Sequence, residues 1–239
     1  MTQFIQLHFL TSYPPANLNR DDLGNPKTAR LGGVERLRVS SQSLKRAWRT
    51  SEAFQKEFSG SIGTRTRRLG IEVFEALKAK GVAEKKAKDW AEEIAKEYGA
   101  LKEKAPLEIQ QPVHVAPEER KTLDDLVSKL AEEKRGPSKE ELDSLLHDHT
   151  AVDIAMFGRM LASKKEFNGE AAVQVAHAIG VHASAVEDDY FTAVDDLNRN
   201  GPAAAHVSEA GFAAAVFYQY VCIDRDLLKK NLGNDEALT

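Results

Sequence analysis

Two stretches of period-two sequence lie near opposite ends of this chain, and a long helix-forming block separates them. Near the start, Ile5, Leu7 and Phe9 alternate with Gln6 and His8. Near the end, Val173, Val175, His177, Ile179 and Val181 alternate, and Ala213 to Ile223 is rich in Val, Phe and Tyr. Successive side chains of a strand point to opposite faces, so each run predicts a strand with one buried face. Pro14-Pro15 is predicted to end the first strand. From Thr64 to about Gly99 the apolar residues fall three and four apart (Leu69, Val73, Leu77, then Trp90, Ile94), which predicts amphipathic helices. Residues 106–117 read as a proline-bounded connector. Residues 118–147 read as two further helices, the second opened by a Ser138–Glu141 capping box. The block therefore reads as a mostly solvated insertion. Residues 152–156, with Val152, Ile154 and Met156 alternating, read as a return to strand.

The charge is unevenly spread. The net charge is −4, yet residues 1–70 carry 12 Lys and Arg against 5 Asp and Glu. A basic segment on an acidic chain suggests either a local anionic partner or internal pairing. Residues 16–33 form a polar loop without periodicity. In ERLRVSSQSLKRAWR, a strand would put Arg36 and Arg38 on one face, with Leu37 and Val39 on the other. Ser40 or Ser41 is a good N-cap for the helix that follows. On that helix Lys45 and Arg49 share a face beside Arg46, while Leu44, Ala47 and Trp48 face a core. A helix N-terminus next to arginines favours a phosphate; a solvated basic face is the alternative.

Between the last two strand patterns lies a polar excursion, expected from its flanks to be a long hairpin. It carries Tyr190, Phe191 and Val194 among Asp188, Asp189, Asp195 and Asp196. These apolar residues could wedge or stack against bases, or simply anchor the excursion. Enzyme signatures are sparse. Asp21-Asp22 could serve a metal-dependent nuclease or be a solvated loop. His147 and His149 do not share a helix face, no zinc spacing is present, and His177 reads as a core residue. There is no GxGxxG, GxxxxGK[ST] or GxSxG pattern. The single cysteine, Cys222, rules out an internal disulfide and fits a reducing, cytoplasmic setting. The N-terminus does not read as a signal peptide, and the longest apolar stretch is too short to span a bilayer.

Five segments, in order, resemble the CasC family, the backbone subunit of the type I-E CRISPR Cascade surveillance complex. They are LNRDDLGNPKTARLGG (Leu18 to Gly33), RVSSQSLKRAWR (Arg38 to Arg49), VDIAMFGRM (Val152 to Met160), VQVAHAI (Val173 to Ile179) and YFTAVDDL (Tyr190 to Leu197). The resemblance implies an α+β fold: an RRM-like (ferredoxin-like) palm, an inserted helical fingers domain and an extended hairpin thumb. On that plan residues 1–60 begin the palm, 61–150 form the fingers, 151–185 supply palm strands, 186–212 form the thumb, and 213–239 give a palm strand and the start of a helix. It also implies a non-catalytic subunit of an antiviral ribonucleoprotein, with no cofactor or metal, that packs head-to-tail with copies of itself along a CRISPR RNA. The implied partners are that RNA, the target DNA strand paired to it, and the large, small, 5′-end and 3′-end guide subunits. The implied RNA contacts are Arg20, Lys27, Arg38, Ser40, Gln42, Lys45, Arg46 and Arg49 for phosphates. Tyr190, Phe191 and Val194 are implied in the thumb, and Met160 and Leu161 in the same groove. Some backbone subunits of other CRISPR types cut guide-paired RNA with a loop aspartate, for which Asp21 or Asp22 is the candidate here. The chain lacks the aromatic RNP1 pattern of sheet-binding RRMs, so bases need not stack on the sheet. Family members usually continue beyond the end of this sequence, so a truncation, or a palm completed by another segment, is expected.

Overall fold

A computed structural model describes residues 3–162, 164–194 and 204–235; for 194 and 204–207 it describes the backbone alone. Among these residues the strands are β1 (Phe4–Ala16), β2 (Thr28–Leu31), β3 (Val34–Val39), β4 (Thr64–Thr66), β5 (Leu101–Lys102), β6 (Ala105–Ile109), β7 (Val113–Val115), β8 (Val173–Val175), β9 (Ala178–Gly180), β10 (Glu187–Val194) and β11 (Ala204–Asp224). The helices are α1 (Ser41–Arg49), α2 (Glu52–Glu57), α3 (Leu69–Ala79), α4 (Glu84–Tyr98), α5 (Pro117–Glu133), α6 (Lys139–Asp143), α7 (Val152–Phe157) and α8 (Arg225–Asn231). Contacts divide the chain into a sheet unit, Ile5–Thr50 with Gln174–Cys222, and a helical unit made of Ser51–Val173 and the two chain ends.

In the sheet unit the strand order is β1-β11-β9-β3-β2, with β8 and β10 also pairing β11. Val39 opposes Ala178, and Phe217 opposes Gly180. These residues, with Leu37, Ala213 and Ala215, form one buried face against which Leu44 of α1 packs. Four sequence expectations change here. β1 runs through Pro14 and Pro15 to Ala16; among the described residues it is an edge strand, the position in a sheet where proline is tolerated. Its alternating side chains are not buried: among the described residues nothing covers their face, and Ile5 and Phe9 stay 46% and 42% exposed. The 16–33 loop ends in a hairpin, with Leu31 opposite Val34 across Gly32 and Gly33. Both glycines have positive φ (66° and 81°), the twist a two-residue hairpin turn requires. Finally, the 173–181 run splits into β8 and β9. Val173 is buried on odd phase but Ala178 and Gly180 on even phase, so His177 lies between the strands and is exposed rather than in the core.

The helical unit holds the larger core. Leu69, Val73 and Leu77 of α3, Trp90 and Ile94 of α4, and Leu123, Leu126 and Leu130 of α5 face one another and are buried. The predicted helices are therefore present, but the block is a packed body and not a mostly solvated insertion. The connector at 106–117 carries β6 and β7, which pair with β5 and β4 in two small sheets. The capping box forms as expected: Glu141 N–H donates to Ser138 Oγ (3.3 Å) and Ser138 N–H to Glu141 Oε2 (2.8 Å). Residues 152–157 form α7 instead of a strand. Val152, Asp153, Ile154 and Ala155 are buried in succession, which a half-buried strand cannot achieve. The Asp153 carboxylate also accepts the Gly63 N–H at 2.7 Å.

Gly70 marks the closest approach within this unit. A Cβ there would lie 2.6 Å from the Leu107 carbonyl oxygen and 3.1 Å from Ala95 Cβ. Gly70→Ala is therefore expected to destabilise the unit by about 1–3 kcal/mol, despite alanine's better helix propensity. A urea midpoint equal to or above the parent's would refute this.

Candidate nucleic-acid interface

The basic segment of the sequence folds into β3, α1 and the loop before β2, all within the sheet unit. Ser40 is the N-cap: its Oγ accepts from Ser43 N–H at 3.3 Å. Its own N–H donates to Asn19 Oδ1 at 2.9 Å, so the loop is tied to the helix start. Gln42 and Arg46 are exposed, and Lys45 and Arg49 half-buried. Arg46 and Arg49 lie in the last turn, where the helix dipole favours cations. Leu44 packs on the core as expected, but Ala47 is exposed and α1 has no fully buried residue. The helix thus packs on the sheet through Leu44 and exposes Gln42, Arg46 and Ala47.

The loop is a closed structure. Lys27 N–H donates to the Asn19 carbonyl at 2.8 Å, and Arg38 N–H to the Lys27 carbonyl at 2.8 Å. The Asn17 amide donates to the carbonyls of Gly24 (2.8 Å) and Gly211 (2.9 Å). Asp21 Oδ1 accepts from Leu23 and Asn25 N–H, both at 2.9 Å, so this carboxylate shapes the turn. Together these bonds bring Arg20 and Lys27 beside the α1 cap and β3. Between the loop and the β10–β11 hairpin lies an open cleft of about 1020 Å3. Arg20 and Phe191 line it, alongside Asp21, Asp22 and Glu209.

Arg36 and Arg38 project from one face of β3, as the alternation predicts. Arg36 donates to the carbonyls of Leu31 (Nε, 3.0 Å) and Gly180 (Nη1, 3.0 Å). Arg38 Nη1 lies 3.2 Å from His177 Nδ1. The predicted excursion is a hairpin: Tyr190 opposes Glu209 and Phe191 opposes Ser208. Tyr190 is 62% and Phe191 44% exposed, on opposite faces of the ribbon. Val194 closes β10 by its backbone; its side chain, and Asp195, Asp196 and Leu197, lie outside the described residues.

A family model described as CT1975-like protein matches residues 5–239. The chain belongs to the CT1975-like protein family. Its structure is similar to a chain of a solved "CRISPR RNA-guided surveillance complex, pre-nicking", with TM-score 0.81 and 30% identity over 99% of this chain and 68% of that one. A second, from a "CRISPR RNA-guided surveillance complex", gives 0.66 and 28% over 97% and 66%. The chain thus spans about two thirds of the length of these relatives. A comparison with curated proteins found no match. The resemblance to a CRISPR surveillance-complex subunit, drawn from five short segments, is borne out.

Two expected contacts of this CT1975-like chain belong to the other unit. Met160 is 79% exposed, but Leu161 is 1% exposed, packed in the helical core. Leu161 is therefore a structural residue and does not line a groove. The sequence reading also missed the clamps, Asn17 and Asn19, and the hairpin that presents Arg36; Gly32-Gly33 between TARL and VERL was the available signal. Among the described residues no cluster of His, Cys, Asp and Glu could hold a metal ion, and no helix is long and apolar enough to cross a membrane.

Proposed function

We propose that this chain is a non-catalytic backbone subunit of a CRISPR RNA-guided surveillance complex of type I-E, and that it grips the guide through its phosphates. The observation that carries the reading is the Ser40-capped helix with Lys45, Arg46 and Arg49. Asn19 ties its cap to the loop that presents Arg20 and Lys27. Such a surface offers helix-end N–H groups and cationic side chains, with no arrangement for reading base edges. A protein that must hold any guide needs that chemistry, because base pairing supplies the sequence specificity. The β10–β11 hairpin then acts as the thumb, with Tyr190 and Phe191 displacing a base of the guide. Copies assemble head-to-tail along the RNA in the cytoplasm, beside the other subunits and the paired DNA strand. Asp21 is a loop-shaping residue here, bound to two backbone donors, which favours a holding role over RNA cutting.

Co-expression with a CRISPR RNA tests the reading. The expected product is a ribonucleoprotein with a high 260/280 nm ratio, whose native mass steps by one protein as the guide is lengthened. A nucleic-acid-free monomer would overturn it for this chain.

A further inference from the structure

The sheet has a second face, turned away from α1. Val39 opposes Ala178, and Phe217 opposes Gly180, on the face under Leu44, so Arg38, Ile179 and Tyr218, which lie opposite one another across the three strands, point the other way. His8 of β1 joins this row: its Nδ1 lies 2.8 Å from the Tyr218 hydroxyl, and its ring centroid 5.0 Å from that of Tyr220. Tyr218 is 41% exposed, and His8 and His177 are exposed. Arg38 meets the Thr28 carbonyl and His177 and, among the described residues, no carboxylate.

We propose that this face is a second RNA contact, on which unpaired bases of a single strand stack on Tyr218 and His8 while a phosphate meets Arg38. It rests on the reading that this chain binds RNA, and goes beyond it by adding a stacking surface to a phosphate grip. Exposed rings beside a guanidinium match a nucleotide, which offers a π-face and an anion a few ångströms apart. An acidic peptide would satisfy the arginine but leave the rings bare. The His8–Tyr218 bond orients both rings in advance, which reduces the ordering cost of binding. No RNP1 pattern marks the site because the rings come from β1 and β11, far apart in sequence.

The test uses a fluorescent oligoribonucleotide carrying 2-aminopurine, whose emission falls on stacking, titrated with the parent, Tyr218→Leu and Tyr218→Phe proteins at several salt concentrations. Leucine keeps apolar bulk in the strand, and phenylalanine keeps the ring. The expected result is quenching by the parent and by Tyr218→Phe. Tyr218→Leu should lose the quenching and about 5- to 150-fold in affinity, with an unchanged salt slope. Equal affinity and quenching in Tyr218→Leu would overturn the platform while leaving RNA binding standing. Failure of the parent to bind any RNA would instead defeat the functional reading, and the platform with it. Loss of self-association in Tyr218→Leu, with RNA binding intact, would make the face a protein contact and overturn the proposal. Tighter binding of the matching DNA oligomer would overturn the assignment to RNA.

Discussion

Replacing Arg159 with methionine is expected to destabilise the helical unit by about 3–5 kcal/mol. The Arg159 and Glu119 side chains are 2% and 0% exposed, and Nη1 lies 2.8 Å from both carboxylate oxygens. The same guanidinium donates to the Phe167 carbonyl at 3.2 and 3.0 Å, and Glu119 accepts the Ala116 N–H at 2.9 Å. The pair therefore joins the start of α5 to the segment after α7. Methionine fills much of the volume but leaves a carboxylate buried without its cation, and that desolvation cost dominates. A typical domain has about 5–15 kcal/mol in total, so much of the unit's stability is at stake. The double replacement Arg159→Met, Glu119→Leu should recover most of the loss, because neither charge then remains. Urea unfolding followed by Trp90 fluorescence, with Trp48 replaced by phenylalanine, reads the result. A single-variant loss below about 1 kcal/mol, the value of a solvated pair, would refute the argument.

The second large effect is on RNA. Lys45→Ala with Arg49→Ala is expected to weaken binding by about two to four orders of magnitude, since each charge-assisted contact contributes about 1.5–3 kcal/mol. It should also flatten the plot of log affinity against log salt by about 1.4, close to 0.7 for each phosphate on a single strand. Neither side chain is fully buried, and alanine favours helix, so α1 should survive the change. The loss should be the same for RNAs of unrelated sequence, because phosphates carry no sequence information. Losses that differ strongly among sequences would mean that this helix reads bases, and would overturn the assignment.

These effects sit on features of different legibility. The Ser40 cap and the basic face of α1 follow from residues within one or two turns, so their spacing reveals them. The same holds for α3, α4 and the Ser138–Glu141 box, whereas the hairpin is marked by the strand patterns on either side of it. The contacts of Arg159 were hidden, because Glu119 lies 40 residues away and nothing in either neighbourhood marks the pairing.

Periodicity reports which side chains share a face; it does not say what covers that face. Ile5, Leu7 and Phe9 form a strand as their alternation requires, yet among the described residues no layer covers their face and they stay exposed. The six residues from Val152 to Phe157 also alternate, but consecutive burial turns them into a helix, and Leu161 then falls into the core. Local sequence thus determined the capped basic helix and the amphipathic helices, since each depends on neighbours a few residues apart. Only the tertiary structure decided that His8, Arg38, Ile179 and Tyr218 form one row. That row depends on four strands meeting in one order and register, and nonlocal strand pairing is not encoded within any single segment.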